Sequence, residues 1–189
     1  MSAGASLLPS GLREYRKTDC LAPRLRYAVE LSLEECAVEG LDAMLWETCR
    51  SQELQELYWR RGRPPTPEFP HPVTWQQNAN KSWHYYGLGV DVISREHGWF
   101  NLTKALTFGL TGEALEAVRQ ARERQKLEWF SRVAAIFVKH GCDWGGNWIK
   151  QDLPHVQWGR CRPSPSQLSI DTYNRGGKEA VWKLVRAAA

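Results

Sequence analysis

Residues 111–141, TGEALEAVRQARERQKLEWFSRVAAIFVKHG, form the clearest helical stretch in the chain. Phe130, Val133, Ala134 and Phe137 recur at the spacing of one helical face. Thr111 stands where an N-cap belongs, and Gly141 where a helix stops. A helix of this length excludes an all-β chain. The short apolar runs around it do not alternate regularly with helices, which argues against a βαβ wind. The expected class is α+β: a small antiparallel sheet flanked by helices, with the functional site on the sheet.

Other segments follow the same logic. From Pro23, apolar residues at Leu25, Val29, Leu33, Cys36 and Ala37 predict a helix ending near Gly40. AMLWETC (43–49) reads as a short strand, and SQELQELYWRRGR as a helix stopped at Gly62. RPPTPEFPHP must be a loop. VTWQQNANKSWHYYG reads as a strand, a polar turn and an irregular approach to Gly87. LGVDVI and PHVQWG read as strands, with a glycine turn in CDWGGNW. With no repeat and no linker, residues 1–189 are expected to be a single domain, with a core over about 23–160 and a basic C-terminal tail at 161–189. The tail ends in EAVWKLVRAAA. Its Trp182, Leu184 and Val185 either pack as a terminal helix or approach an anionic envelope.

The formal net charge of +4 suits an anionic partner without naming one, and no nucleic-acid motif is present. The ten tryptophans point to aromatic packing or an aromatic-lined groove. The five cysteines show no C-x-x-C spacing, which speaks against zinc held by thiolates. The amino-terminal stretch lacks a basic start followed by an apolar run, so no signal peptide is expected and the thiols are expected to be reduced. No apolar run approaches the roughly 18 residues that span a bilayer.

KSWHYYGLGVD (81–91) sets His84 and Asp91 seven residues apart. A third corner is available in DLPHVQW, where Asp152 precedes His155 by three residues and Gln157 follows it by two, on the same face of a strand. His71, His97 and His140 read as solvated surface residues. Two imidazoles and a carboxylate are a catalytic zinc set, and a second carboxylate nearby can take a proton from water. That inventory alone leaves plainer readings open. Arg50 can simply pair with Glu47 or Glu53, Asp152 and Ser82 can cap turns, and Trp144 and Trp148 can be core.

SWHYYGLGVD resembles the S-x-H-x-x-G-x-A-x-D signature of the zinc peptidases that include D-Ala-D-Ala carboxypeptidases and dipeptidases and the L-alanyl-D-glutamate endopeptidases of phage lysis. GCDWGGNWIKQDLPHVQ is similar to that family's second block, G-x-x-W-G-G-x-W leading into D-x-x-H-x-Q, and CRSQELQELYWRRGR to its upstream arginine-serine segment and helix. The three matches keep the family's order over about residues 45–158. The resemblance implies Zn2+ held by His84, Asp91 and His155, with Asp152 as general base and then acid. It implies Arg50 at the oxyanion, and Ser82 and Trp148 toward the substrate. Gly89 stands where the family usually has alanine, a small-for-small exchange.

An aspartate as the catalytic carboxylate is similar to the phage endolysin branch. The implied function is hydrolysis of the peptide stem of bacterial peptidoglycan at the L-Ala–D-Glu bond. The expected enzyme is a monomer made in the host cytoplasm that meets the wall after the membrane is permeabilised. A D-Ala-D-Ala carboxypeptidase or dipeptidase with the same site, and a non-catalytic wall-binding module, are the alternatives.

Overall fold

The computed structural model describes residues 12–189; residues 1–11, part of the stretch read for a leader, lie outside the described residues. In chain order the elements are α1 (Pro23–Val38), β1 (Ala43–Glu47), α2 (Gln52–Arg60), a 3-10 turn (Ala79–Lys81) and the one-turn helix α3 (Trp83–Tyr86). Then come β2 (Gly89–Ser94), the short α4 (Lys104–Thr107), α5 (Gly112–Lys139), β3 (Cys142–Trp144), a 3-10 turn (Gly145–Asn147), β4 (His155–Trp158) and α6 (Gln167–Leu184).

The helices form for local reasons. Pro23 sits in the first turn of α1, where its missing N–H costs nothing. Leu25, Ala28, Val29, Ser32 and Cys36 then fall on one buried face. Ser51 caps α2 by accepting from the Leu54 amide. Thr111 precedes α5 but makes no side-chain cap, contrary to the sequence expectation. Burial on α5 begins only at Trp129, because the apolar stripe of Phe130, Val133 and Phe137 belongs to its second half. His140 is not a free surface residue: its ring meets Glu35 at 2.8 Å and ties the end of α5 to α1.

The sheet has the order β1-β2-β4-β3 with every pair antiparallel, so the α+β expectation holds. Strand alternation sorts its two faces. Val90, Val92 and Val156 join Leu25, Val29, Phe130, Val133 and Phe137 in the hydrophobic core. Each such side chain contributes on the order of 1.5–3 kcal/mol by leaving water. Gly89, Asp91, His155 and Gln157 alternate with them and point to the opposite face. The sheet thereby separates packing from chemistry.

Two further expectations change. Val73–Trp75 is loop, not strand. Pro70 and Pro72 remove amide donors just before it, and the Gln76 carbonyl accepts instead from the side chain of Gln55 (2.5 Å). The stretch read as a basic tail contains α6, whose Val181 joins the core together with Ala187 beyond it. Trp182 donates to the Tyr86 carbonyl (2.7 Å), and the Val185 carbonyl accepts from Trp158 (2.9 Å). These two residues are spent on the body of the protein, while Leu184 stays exposed.

Candidate metal centre

The site is built where β2 and β4 lie side by side. Asp91 and His155 are direct cross-strand partners, which brings their side chains to one point on the same face. His84 arrives from α3, a single turn closed by Gly87 in the left-handed conformation (φ 67°). A side chain at Gly87 would meet the Cys20 carbonyl at 2.4 Å, so glycine is required both for the turn and for the close approach. His84 Nε2, Asp91 Oδ1 and His155 Nδ1 then form a near-equilateral triangle. The separations are 3.2 Å (His84–Asp91), 3.3 Å (His155–Asp91) and 3.2 Å (His84–His155).

The triangle fits a metal by both size and charge. Tetrahedral zinc with bonds of about 2.0–2.1 Å needs ligand atoms about 3.3 Å apart. His84 Nδ1 lies 3.1 Å from the Thr48 carbonyl, an acceptor that calls for a proton on that nitrogen. His155 Nε2 lies 3.3 Å from Gln157 Oε1, again an acceptor. With those protons in place, each imidazole turns a bare lone pair toward the other and toward the Asp91 carboxylate. Three converging lone pairs buried together call for a cation. The three residues are also the cluster of metal-ligating side chains among the described residues.

The three groups are also coupled electrostatically. Burial opposes ionisation of Asp91, but the charges and hydrogen bonds of His84 and His155 hold its carboxyl well below the usual carboxylate range. Burial lowers His155, and the hydrogen bond and charge of Asp91, with Asp152, more than offset it, so His155 is raised. The frame around His84 comes from far upstream. Thr48 is fully buried, and its amide and hydroxyl donate to the carbonyls of Tyr15 (2.7 and 2.8 Å) and, from the hydroxyl, of Lys17 (2.8 Å). Cys20 and Cys49 are joined by a disulfide beside it. That pairing overturns the expectation of five free thiols; Cys36, Cys142 and Cys161 are free and buried. A separation of 29 residues with no local motif gives the pairing no signature in sequence.

The remaining candidates gather around the triangle to different degrees. Arg50 pairs with Glu47 through Nε and Nη2 and donates from Nη1 to Gln55 (3.0 Å). Its Nη2 also lies 3.6 Å from the outer oxygen of Asp91. The simple ion pair with Glu47 and a place beside the triangle therefore hold at once. Asp152 sits in the turn into β4, where its amide donates to the Gly145 carbonyl (3.0 Å) and its own carbonyl accepts from the His155 amide (3.1 Å). The residue as a whole is solvent-exposed, yet protein crowds the carboxyl. That crowding raises its pKa against the pull of His155, Asp91 adds to the rise, and His84 and Arg50 oppose it.

Trp148 is half-buried with its ring 5.2 Å from that of His155, and its indole N–H is buried with no partner. Trp144 belongs instead to the packing, donating to the Leu153 carbonyl (2.7 Å). Ser82 stands immediately before α3, and its hydroxyl makes no hydrogen bond among the described residues. Gln55 has no counterpart in the sequence expectations. It is fully buried on α2 and connects Arg50 to the loop at Thr74 and Gln76. A glutamine beside Leu54 on a buried helical stripe was the available signal.

A model of the D-alanyl-D-alanine carboxypeptidase family of peptidases matches residues 76–158, which span α3 through β4 and include His84, Asp91, Asp152 and His155. Over this segment the chain is similar to that family of peptidases. Arg50, Thr48 and the Cys20–Cys49 disulfide all lie upstream of the family segment. Among solved structures, the chain is similar to the L-Ala D-Glu endopeptidase ChiX of Serratia marcescens. The two are 18% identical with a TM-score of 0.47, over 79% of this chain and 93% of that one. No curated protein matches the chain.

Proposed function

We propose that the protein is a zinc peptidase that hydrolyses the peptide stem of bacterial peptidoglycan at the L-Ala–D-Glu bond, in the manner of a phage endolysin. The observation that carries the metal reading is the triangle of His84 Nε2, Asp91 Oδ1 and His155 Nδ1, each atom within 3.3 Å of the others. When bound there, zinc supplies Lewis acidity that acidifies water and polarises a carbonyl.

The chain's own residues do the rest. Asp152, exposed to solvent and raised toward proton-accepting range, takes the proton of the attacking water and returns it to the departing amine. Arg50 is held by Glu47 and Gln55 with its guanidinium turned to the triangle, where it stabilises negative charge growing on the scissile carbonyl oxygen. Trp148 forms one wall beside His155, and Ser82 offers its free hydroxyl to the substrate. The choice of bond rests on the aspartate at position 152, which resembles the endolysin branch. The enzyme acts as a monomer that reaches the wall once the membrane is permeabilised.

The family model's own description favours a second reading, release of terminal D-Ala by the same site. Mass spectrometry of stem peptides digested by the zinc-loaded protein separates the two. Fragments beginning with D-Glu support the endopeptidase, and free D-Ala supports the carboxypeptidase. Intact stems, with zinc present at one equivalent, would remove both.

A further inference from the structure

The triangle requires His155 to present Nδ1, not Nε2, to His84 and Asp91. A neutral imidazole can hold its proton on either nitrogen, and the backbone of β4 does not choose between them. The choice falls to Gln157, two residues along the same face of the strand. Its side chain is fully buried, and its amide nitrogen donates to the carbonyls of Cys161 (3.2 Å) and Arg162 (2.9 Å).

Two carbonyls can only accept, so the amide cannot turn over without setting oxygen against oxygen. Gln157 Oε1 is therefore left facing His155 Nε2 at 3.3 Å. That oxygen also only accepts, so Nε2 must carry the proton and Nδ1 must keep its lone pair. The Arg162 carbonyl has a second partner, the indole N–H of Trp83 (2.6 Å), the residue immediately before His84. One short stretch beyond β4 thus steadies both histidine-bearing elements. It lies outside the segment that the family model matches.

We propose that Gln157 is a positioning residue that selects the Nε2–H tautomer of His155, with its own orientation set by the Cys161 and Arg162 carbonyls. The neutral ring then turns its bare nitrogen toward His84 and Asp91. The inference rests on the metal-peptidase reading, but its test does not depend on catalysis.

The test is the imidazole 15N–1H correlation spectrum of the whole, chelator-treated protein, recorded above the usual imidazole titration range. Wild type is expected to show His155 protonated on Nε2 alone. Gln157→Met has similar bulk and no acceptor. It is expected to show both tautomers and to bind Zn2+ about 10–100-fold more weakly in competition with a chromophoric chelator.

A wild-type spectrum with the proton on Nδ1 overturns the proposal whether or not the variant folds. A folded Gln157→Met protein that keeps only the Nε2–H form does the same. Intact tautomer selection in a protein that cleaves no stem peptide would support the proposal and sink the peptidase reading instead.

Discussion

Gly89 and Gln157 are direct partners across β2 and β4, and the His155 ring lies against both. A methyl group at position 89 would come 2.9 Å from His155 Cε1 and 3.3 Å from Trp83 Cβ. The exchange of the family's alanine for glycine is therefore not neutral here: the space it leaves is filled by the His155 ring. Gly89→Ala is expected to push that ring off Gln157 and weaken Zn2+ binding about 10-fold or more. Chelator competition measures this, and an unchanged affinity would show that the ring has room to move.

Removing the ion should reverse the logic of the site. Without a cation, three converging lone pairs repel one another inside the protein. Added Zn2+ is expected to raise the melting temperature of chelated wild type, because it binds only the folded chain. His84→Ala is expected to lose most of that rise, together with hydrolysis. Thermal scans across a zinc titration check it; an equal rise in the variant would mean that the ion binds elsewhere.

Asp152 stands apart from the triangle, so its loss should spare the metal. Asp152→Asn is expected to bind Zn2+ as wild type does while hydrolysing stem peptide about 10²–10⁴-fold more slowly. In wild type the carboxyl is raised, and only its ionised form accepts a proton. Activity should climb with pH through a range above that of an ordinary aspartate. Rate against pH at saturating zinc tests this, and a fast Asp152→Asn enzyme would take the proton-transfer role away from this residue.

Asp42 offers a stability prediction remote from the chemistry. Burial raises its pKa, but donors from Ser94 (2.7 Å), the Glu96 amide (2.7 Å) and Trp129 (3.0 Å) outweigh burial and hold the carboxyl low. A depressed folded-state pKa means that this contribution is complete above the unfolded value and fades as pH falls through the folded one. Asp42→Asn should cost about 1–3 kcal/mol near neutrality and flatten the acid limb of stability. Urea unfolding at several pH values gives both quantities.

Reduction of Cys20–Cys49 opens a loop of 29 residues. By chain entropy this should cost about 3–4 kcal/mol. The remaining cysteines are buried, so thiol labelling of the folded, reduced protein should count two reactive groups. A count of two with an unchanged melting temperature would make the crosslink thermodynamically idle.

The proposed site residues are legible in the sequence through the resemblance of two short blocks to a known family, because each block is local in the chain. His84 and Asp91 flank one turn and one strand, and Asp152 and His155 share the next turn. The parts that hold them are hidden, because each depends on contacts far apart in the chain. Thr48 acts through its backbone carbonyl, which no residue type announces. Gln55 reaches across 21 residues to the Gln76 carbonyl, and Trp83 across 79 to Arg162. The strand expected at Val73–Trp75 failed for a related reason: a partner side chain, not a neighbouring strand, satisfies that backbone.

The carbonyls of Thr48, Cys161 and Arg162 stand on either side of the segment shared with the family, and each orients a side chain within it. A fragment trimmed to residues 76–158 would carry every proposed ligand and lack the acceptors that aim them. It would also lack Arg50. The frame that aims these side chains is thus wider than the most recognisable part of the chain, and a graft or library confined to that part would inherit ligands without a frame.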